Sequence, residues 1–198
     1  GSPLSMKQLL SPSLDGEAAV SGRHADNVAP CLFGGITLVT GIDADQIHPL
    51  PIPANLYLAL VTPDVAVPTA MARAVLPASI PLKTMVSQTA NVARLVDSIY
   101  RGDLAAMAQA MEGDHVIEPA RAHLMPLLFE MRKIAHDSGA LGLVISGAGP
   151  TLCAICDDEQ IASKVATAMQ AGYDAVNIKN VTRCTGISVN GAKDLRVN

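Results

Sequence analysis

The residues best suited to chemistry crowd into one stretch, Ser21 to Gly35, which reads SGRHADNVAPCLFGG. It sets His24, Asp26 and Asn27 within four positions, followed by Pro30 and the pair Gly34-Gly35. An imidazole exchanges protons near neutral pH, a carboxylate holds an ammonium or takes a proton, and an amide donates and accepts without charge. Together they can grip a small polar ligand. Pro30 fixes one backbone torsion beside the cluster, and the two glycines allow close approach just beyond it. The same residues also suit a polar turn ahead of a strand, with Asp26 and Asn27 bonding their own backbone. A second stretch, SGAGPT from Ser146 to Thr151, lies between two apolar runs. Its glycines expose backbone N–H groups that can cradle an anion, and they equally suit an ordinary hairpin turn. With no GK[ST] and no third glycine, it is neither a Walker loop nor a dinucleotide fingerprint.

These residues need a scaffold, and composition says what kind. Apolar residues make up 49% of the 198 positions and charged residues 16%, which predicts a well-buried globule with one domain as the default. Aromatics are only 3%, Trp is absent and net charge is −4, which argues against base-stacking platforms and phosphate-backbone partners. No uninterrupted apolar run reaches the roughly 18 residues of a membrane span, and no basic-then-apolar leader pattern opens the sequence, so a cytoplasmic protein is expected. Cys153 and Cys156 form a lone CxxC inside an apolar strand-like run, where residues three apart point to opposite faces. No second CxxC or paired histidine follows, so all four cysteines read as reduced thiols.

Ser5 with Gln8 predicts a capping box for a short helix interrupted at Pro12, and residues 14 to 20 could resume it and deliver Glu17 beside the polar cluster. Leu32 to Thr40 and Asn55 to Thr62 predict two strands of a long-looped hairpin, the second apolar enough to be central. Thr69 suits a helix cap ahead of Arg73. From Thr84 the period turns helical, with Val86, Ala90, Ala93, Val96 and Tyr100 forming the stripe expected to be buried. Gly102 should end that helix and Asp103 cap the next. Glu118-Pro119 reads as a break, and Pro126 as the start of a helix that runs to Gly139. Two strands flanking SGAGPT, a helix carrying Ile161, Val165 and Met169, and strands near 175–179 and 184–189 complete the chain. The order implies a two-layer α+β sandwich, an antiparallel sheet with helices on one face.

HADNVAP near the start and LGLVISGAGPTLCAI near the end, in this order and separation, closely resemble the homoserine kinases of the GHMP small-molecule kinase superfamily. PTAMARAVLP around Arg73 and IEPARAHLMP around Arg121 resemble that family's intervening segments. The resemblance implies a ferredoxin-like GHMP C-terminal domain over residues 41–198, preceded over residues 1–40 by a remnant of the N-terminal lobe. It implies ATP:L-homoserine phosphotransfer in threonine synthesis, with ATP and Mg²⁺ as cofactors and a homodimer as the assembly. His24, Asp26 and Asn27 would hold homoserine near its reacting hydroxyl. Arg73 and Arg121 would clamp its carboxylate, a role for which a planar guanidinium fork is matched, whereas a surface ion pair is the plainer use of either. Gly147, Ala148, Gly149 and Thr151 would form the loop that approaches the nucleotide phosphates, and Glu17 would meet the metal. Two departures stand out. Ala148 replaces a serine of many members, and these residues contain no glycine- and serine-rich PxxxGLGSSxA loop. The chain alone is therefore expected to have little kinase activity, and its first residues to be disordered before about Val20 or covered by a partner. Another GHMP kinase, acting on mevalonate or a sugar, and a non-catalytic binding module are the alternatives.

Overall fold

The computed structural model describes residues 4–19 and 22–193, so Val20 and Ser21, the latter opening the polar stretch, lie outside the described residues. It is an α+β protein whose chain divides into two compact units, residues 1–52 with 187–198 and residues 53–186. The expected boundary at residue 40 falls in the connection between two paired strands. The division comes instead at Ile52, and the last residues return to the first unit.

The first unit is built on α1 (Met6–Ala18) and α2 (Ala25–Phe33), with a two-stranded antiparallel sheet of β1 (Ile36–Val39) and β2 (Ile47–Leu50). Ser5 caps α1 through the expected box, its hydroxyl accepting from Gln8 N–H while Gln8 Oε1 takes Ser5 N–H at 2.8 Å. The helix then runs straight through Pro12, where the sequence suggested an interruption before residues 14 to 20 resumed it. Leu10 and Leu14, one on each side of Pro12, are both buried against Ala25, and that burial offsets the lost backbone bond. Residues 6–18 thus form a helix, so of the two expectations for this stretch, disorder or cover by a partner, the first is not met. α2 replaces the polar turn and the start of the strand expected at Leu32. Ala25 and Ala29, four apart, face inward and outweigh Pro30, which lies inside the helix.

Gly34 ends α2 at φ 75° and ψ −178°, a conformation that favours glycine, and its position lies against the backbone of residues 189–191. Gly35 N–H donates to Ser188 O and Ala192 N–H to Cys31 O, both at 2.8 Å, so residues 188–192 lie across the end of the helix. β2 was hidden in what looked like a loop because it contains Pro49. A proline is tolerated in a two-stranded edge, where one side of each strand needs no ladder bond.

The second unit is a four-stranded antiparallel sheet in the order β4-β5-β3-β6, with β3 (Tyr57–Pro63), β4 (Gly142–Ile145), β5 (Leu152–Cys156) and β6 (Asn180–Gly186). β3 is interior, as its apolar run implied, but it pairs with β5 and β6 rather than with the strand around Ile36. A single strand, β6, stands where two were expected, because α8 (Glu159–Asp174) and its closing turn occupy the residues up to 177. α7 (Leu128–Ser138) and α8 pack on the sheet through Met131, Ala135, Val165, Met169 and the fully buried Tyr173, against Ala59, Val61, Leu143, Leu152 and Ala154. Pro126 precedes α7, whose cap is Leu127 in the left-handed region at φ 57°, and Gly139 ends it as expected.

Between β3 and β4 run α3 (Thr69–Ala74), α4 (Leu82–Arg101), α5 (Leu104–Glu112) and α6 (Ile117–Arg121). Gly102 and Asp103 end α4 and begin α5 as the sequence indicated. The apolar stripe of α4, however, faces outward, with Val86 58% and Tyr100 64% exposed. Its inward face mixes the buried Ile99 and Ser98 with polar side chains. Gln88 Nε2 donates to Asp114 at 2.7 Å, Gln88 Oε1 accepts His115 N–H, and Asn91 bonds Gly113 O. Side-chain amides are needed there because the turn after α5 offers backbone groups with no helical partner.

Candidate functional site

Two sets of the expected site residues belong to different units. In the first unit His24 is the N-cap position of α2, with an extended backbone, and Asp26 and Asn27 stand exposed in the first turn. A carboxylate at a helix N-terminus sits in the favourable end of the helix dipole. Arg23, just ahead of the trio, pairs with Asp15 of α1 and donates to Ser11 Oγ at 3.1 Å. The position of His24 is fixed by that anchor and by the burial of Ala25 beside it. Glu17 is half-buried in the last turn of α1.

In the second unit the structure gathers the other expected residues around Arg121. Its Nε donates to Ala72 O and its Nη1 to Gly147 O, each at 2.9 Å. Ala72 immediately precedes Arg73 on α3, so one guanidinium joins the helix carrying Arg73 to the glycine loop. This placement depends on α6 existing, where the sequence suggested only a break. The Asp114 carboxylate accepts the N–H groups of Val116, Ile117 and Glu118 at 2.9, 3.0 and 2.8 Å and so starts a helical turn. Pro119 then falls where its missing N–H costs nothing. Burial raises the Asp114 carboxyl, but those backbone bonds and Gln88 more than compensate, and it stays below the ordinary value of 3.8.

The glycine loop joins β4 to β5. Ser146 N–H donates to Thr151 O at 2.9 Å and Gly149 N–H to Ser146 O at 3.0 Å, which leaves the N–H groups of Gly147 and Ala148 to meet an anion. Gly147 (φ +60°) and Gly149 (φ +83°) take left-handed torsions, and a side chain on Gly149 would strike Met125. Thr151 Oγ1 bonds Thr62 Oγ1 at 2.8 Å. A cleft of about 270 Å³ opens beside this loop, lined by Leu95 of α4, Met111 of α5, Ile117 and Arg121 of α6, Val144 of β4 and Gly147.

Behind α6 lies a charged cluster that sequence reasoning missed. Arg132 of α7 donates through Nη2 to Glu118 Oε2 at 2.6 Å and to Leu143 O at 3.0 Å, with its Nε 3.3 Å from Glu112 Oε1. Glu112 Oε1 also accepts Leu143 N–H at 2.7 Å and lies 3.0 Å from His136 Nε2. Its members are far apart in sequence, and only the fold brings them together. Among the described residues no group of three or more His, Cys, Asp or Glu side chains is placed to hold a metal ion, and no helix is long and apolar enough to cross a membrane.

The model of the C-terminal domain of GHMP kinases matches residues 95–175. Residues 95–175 carry the C-terminal domain of GHMP kinases. The chain's likeness within that family is to homoserine kinases, over almost all of its length. It is 36% identical to homoserine kinase of Arabidopsis thaliana over 98% of this chain and 53% of that protein. It is 38% identical to homoserine kinase of Chloroherpeton thalassium over 89% of this chain and 56% of that one. The crystal structure of homoserine kinase from Cytophaga hutchinsonii superposes with a TM-score of 0.90 at 40% identity, covering 98% of this chain and 61% of that one. The chain thus spans just over half the length of the curated relatives it matches. Mevalonate kinase of L. major, at 16% identity and a TM-score of 0.69, shares the fold.

Proposed function

We propose that this chain contributes to transfer of a phosphoryl group from ATP to the hydroxyl of L-homoserine, a step that serves threonine synthesis. The observation that carries the reading is Arg121, bonded to both Gly147 and the residue before Arg73 in a chain that resembles homoserine kinases throughout. With Nε and one hydrogen of Nη1 committed, Nη2 and the second hydrogen of Nη1 are the donors left for a carboxylate. Arg73 adds positive charge on the adjoining helix. An amino-acid substrate needs that charge and a sugar does not, which favours homoserine over a sugar.

Phosphoryl transfer needs positioning and charge neutralisation more than covalent chemistry. Asn27 and His24 orient the acceptor hydroxyl, and Asp26 binds and orients before it acts as any base. The N–H groups of Gly147 and Ala148, in the loop closed by Gly149 and Thr151, face the phosphates. Glu17 would supply the carboxylate for a magnesium ion held otherwise by the ATP phosphates and water. When bound, that ion neutralises charge on the transferring group. Because these residues include no PxxxGLGSSxA loop, the chain expressed as it stands is expected to bind homoserine without turning it over. The outward apolar row of α4, from Leu82 (71% exposed) to Tyr100, favours a homodimer in the cytoplasm, and Val86→Lys should shift sedimentation toward monomer.

Calorimetric titration with L-homoserine across the wild type, Arg73→Ala and Arg121→Ala tests the substrate assignment. Binding is expected in the first and a loss of at least about tenfold in each variant, the value of one charged hydrogen bond. Equal heats in all three would remove the clamp.

A further inference from the structure

We propose that Glu118 and Arg132 are positioning residues that hold α6 against the outer edge of β4, so that Arg121 meets the glycine loop and α3 in register. The ligand part of this inference rests on the homoserine reading above, and the geometric part does not.

β4 is an edge strand, and one edge of it is closed by side chains rather than by another strand. Leu143 N–H goes to Glu112 Oε1 at 2.7 Å, and Leu143 C=O accepts from Arg132 Nε at 3.2 Å and Nη2 at 3.0 Å. The same Nη2 holds Glu118 at 2.6 Å. Glu118 lies one helical turn before Arg121, so fixing its carboxylate fixes the rotation of α6 and the direction in which Arg121 leaves it. The loop held by Arg121 begins at Ser146, directly after β4. Arg132 therefore braces both partners of one contact, the strand that leads into the loop and the helix whose arginine binds it. Removing the brace leaves Arg121 attached to a helix of five residues with, among the described residues, no other ion pair to α7.

The pair shares its shielding with Arg132–Glu112, at 20% and 22% exposed, and differs from the surface ion pairs of this unit. Glu118 and Arg132 side chains are 13% and 20% exposed, against 63% and 76% for Asp137 and Lys133. Exposed pairs contribute little to stability, whereas a shielded carboxylate deprived of its partner is costly and moves to find another. Arg121, on the same short helix, is the nearest guanidinium in sequence. Without Arg132 it is pulled from Gly147 toward Glu118, and the substrate fork turns with it.

The test uses ¹⁵N-labelled chain and the Arg121 Nε–H signal, assigned by its loss in Arg121→Lys. Glu118→Ala and Arg132→Lys are expected to speed hydrogen exchange at Arg121 Nε about tenfold, as the bond to Ala72 O opens. Glu118→Gln, which keeps a hydrogen-bond acceptor for Arg132, should restore most of the protection and also serves if Glu118→Ala does not fold. Backbone amides of β6 and α8 should exchange as before. In calorimetry the same variants should weaken L-homoserine about tenfold while leaving 3-aminopropan-1-ol, the same molecule without its carboxylate, within twofold. Unchanged Arg121 exchange in both Glu118→Ala and Arg132→Lys overturns the proposal, as does equal weakening of the two ligands. If the wild type binds neither ligand but Arg121 exchange responds as stated, the positioning role stands and the homoserine reading fails.

Discussion

Arg121→Ala tests the junction on which the site of the second unit depends. The substitution removes two donors at once and strands two acceptors. Ala72 O is a last-turn carbonyl that α3 cannot satisfy, and Gly147 O lies in a loop whose own bonds are closed by Ser146, Gly149 and Thr151. A hydrogen bond from a charged group contributes about 1.5–3 kcal/mol. The bond to Ala72 is partly buried and belongs within that range, while the bond to Gly147 is exposed and is worth nearer 1 kcal/mol. Their sum, about 2.5 kcal/mol, corresponds to roughly a seventyfold rise in the local opening equilibrium. Because the chain has two compact units, a single melting temperature would blend them, and site-resolved amide exchange is the proper assay. Protection should fall by about that factor at residues 146–151 and 72–76, with little change on α1 and α2. Arg121→Lys, which can reach one acceptor, should lose about half the free energy. Protection within threefold of wild type around both Gly147 and Ala72 would refute the reasoning.

Three further outcomes follow from the structure. Asp114→Asn should destabilise the second unit near pH 7 through weaker bonds to residues 116–118. Because the folded Asp114 pKa lies below its unfolded value of 3.8, its contribution is full above that value and is lost as pH falls through the lower one, so wild-type and variant stabilities should converge below about pH 4. Burial pushes the Cys153 thiol up to about 12, aided by Cys156, and that of Cys156 up to about 11, aided by Cys184 and Asp157. At pH 8 a thiol reagent should therefore modify the exposed Cys31 quickly, the exposed Cys184 more slowly because burial and Glu159 push its thiol up, and the other two only on unfolding, and four rapid reactions would contradict the buried placement. Gly191→Ala would set a methyl group on the Leu32 carbonyl, so residues 188–192 should lift from α2, with Gly35 amide protection falling about tenfold and β3 amides unaffected.

Local signals carried much of this structure. The Ser5 box, the Gly102 and Gly139 stops, the Asp103 cap and the strands around the glycine loop are written in a few adjacent residues, and each forms where those residues indicate. The errors arise where distant partners decide. Pro12 and Pro30 sit inside helices because leucines and alanines on either side share a buried face, a tertiary gain that local rules do not count. α4 turned its apolar row outward because Gln88 and Asn91 were needed by the turn around Asp114, which no periodicity reveals. In the candidate site, the residue types of Arg73, Arg121 and Gly147 could be named from sequence, yet their meeting at Ala72 depends on a helix that Asp114 initiates. Glu112, Glu118 and Arg132 carried no signal, since an isolated Glu or Arg reads as solvated surface until three elements enclose it.

The first unit is assembled from two stretches of chain separated by the whole of the second, and its last strap of backbone, residues 188–192, closes over α2 only from the far side of that insertion. Tyr57 and Gly186, where the insertion starts and finishes its sheet, are cross-strand partners, so the second unit brings its own entry and exit side by side once β3 has paired with β6. Residues 188–192 must leave the ribosome before α2 receives its final contacts. Sheet assembly in the middle of the chain thereby shortens the loop that the strap must close, with the C-terminal end of α2 among the last surfaces to settle.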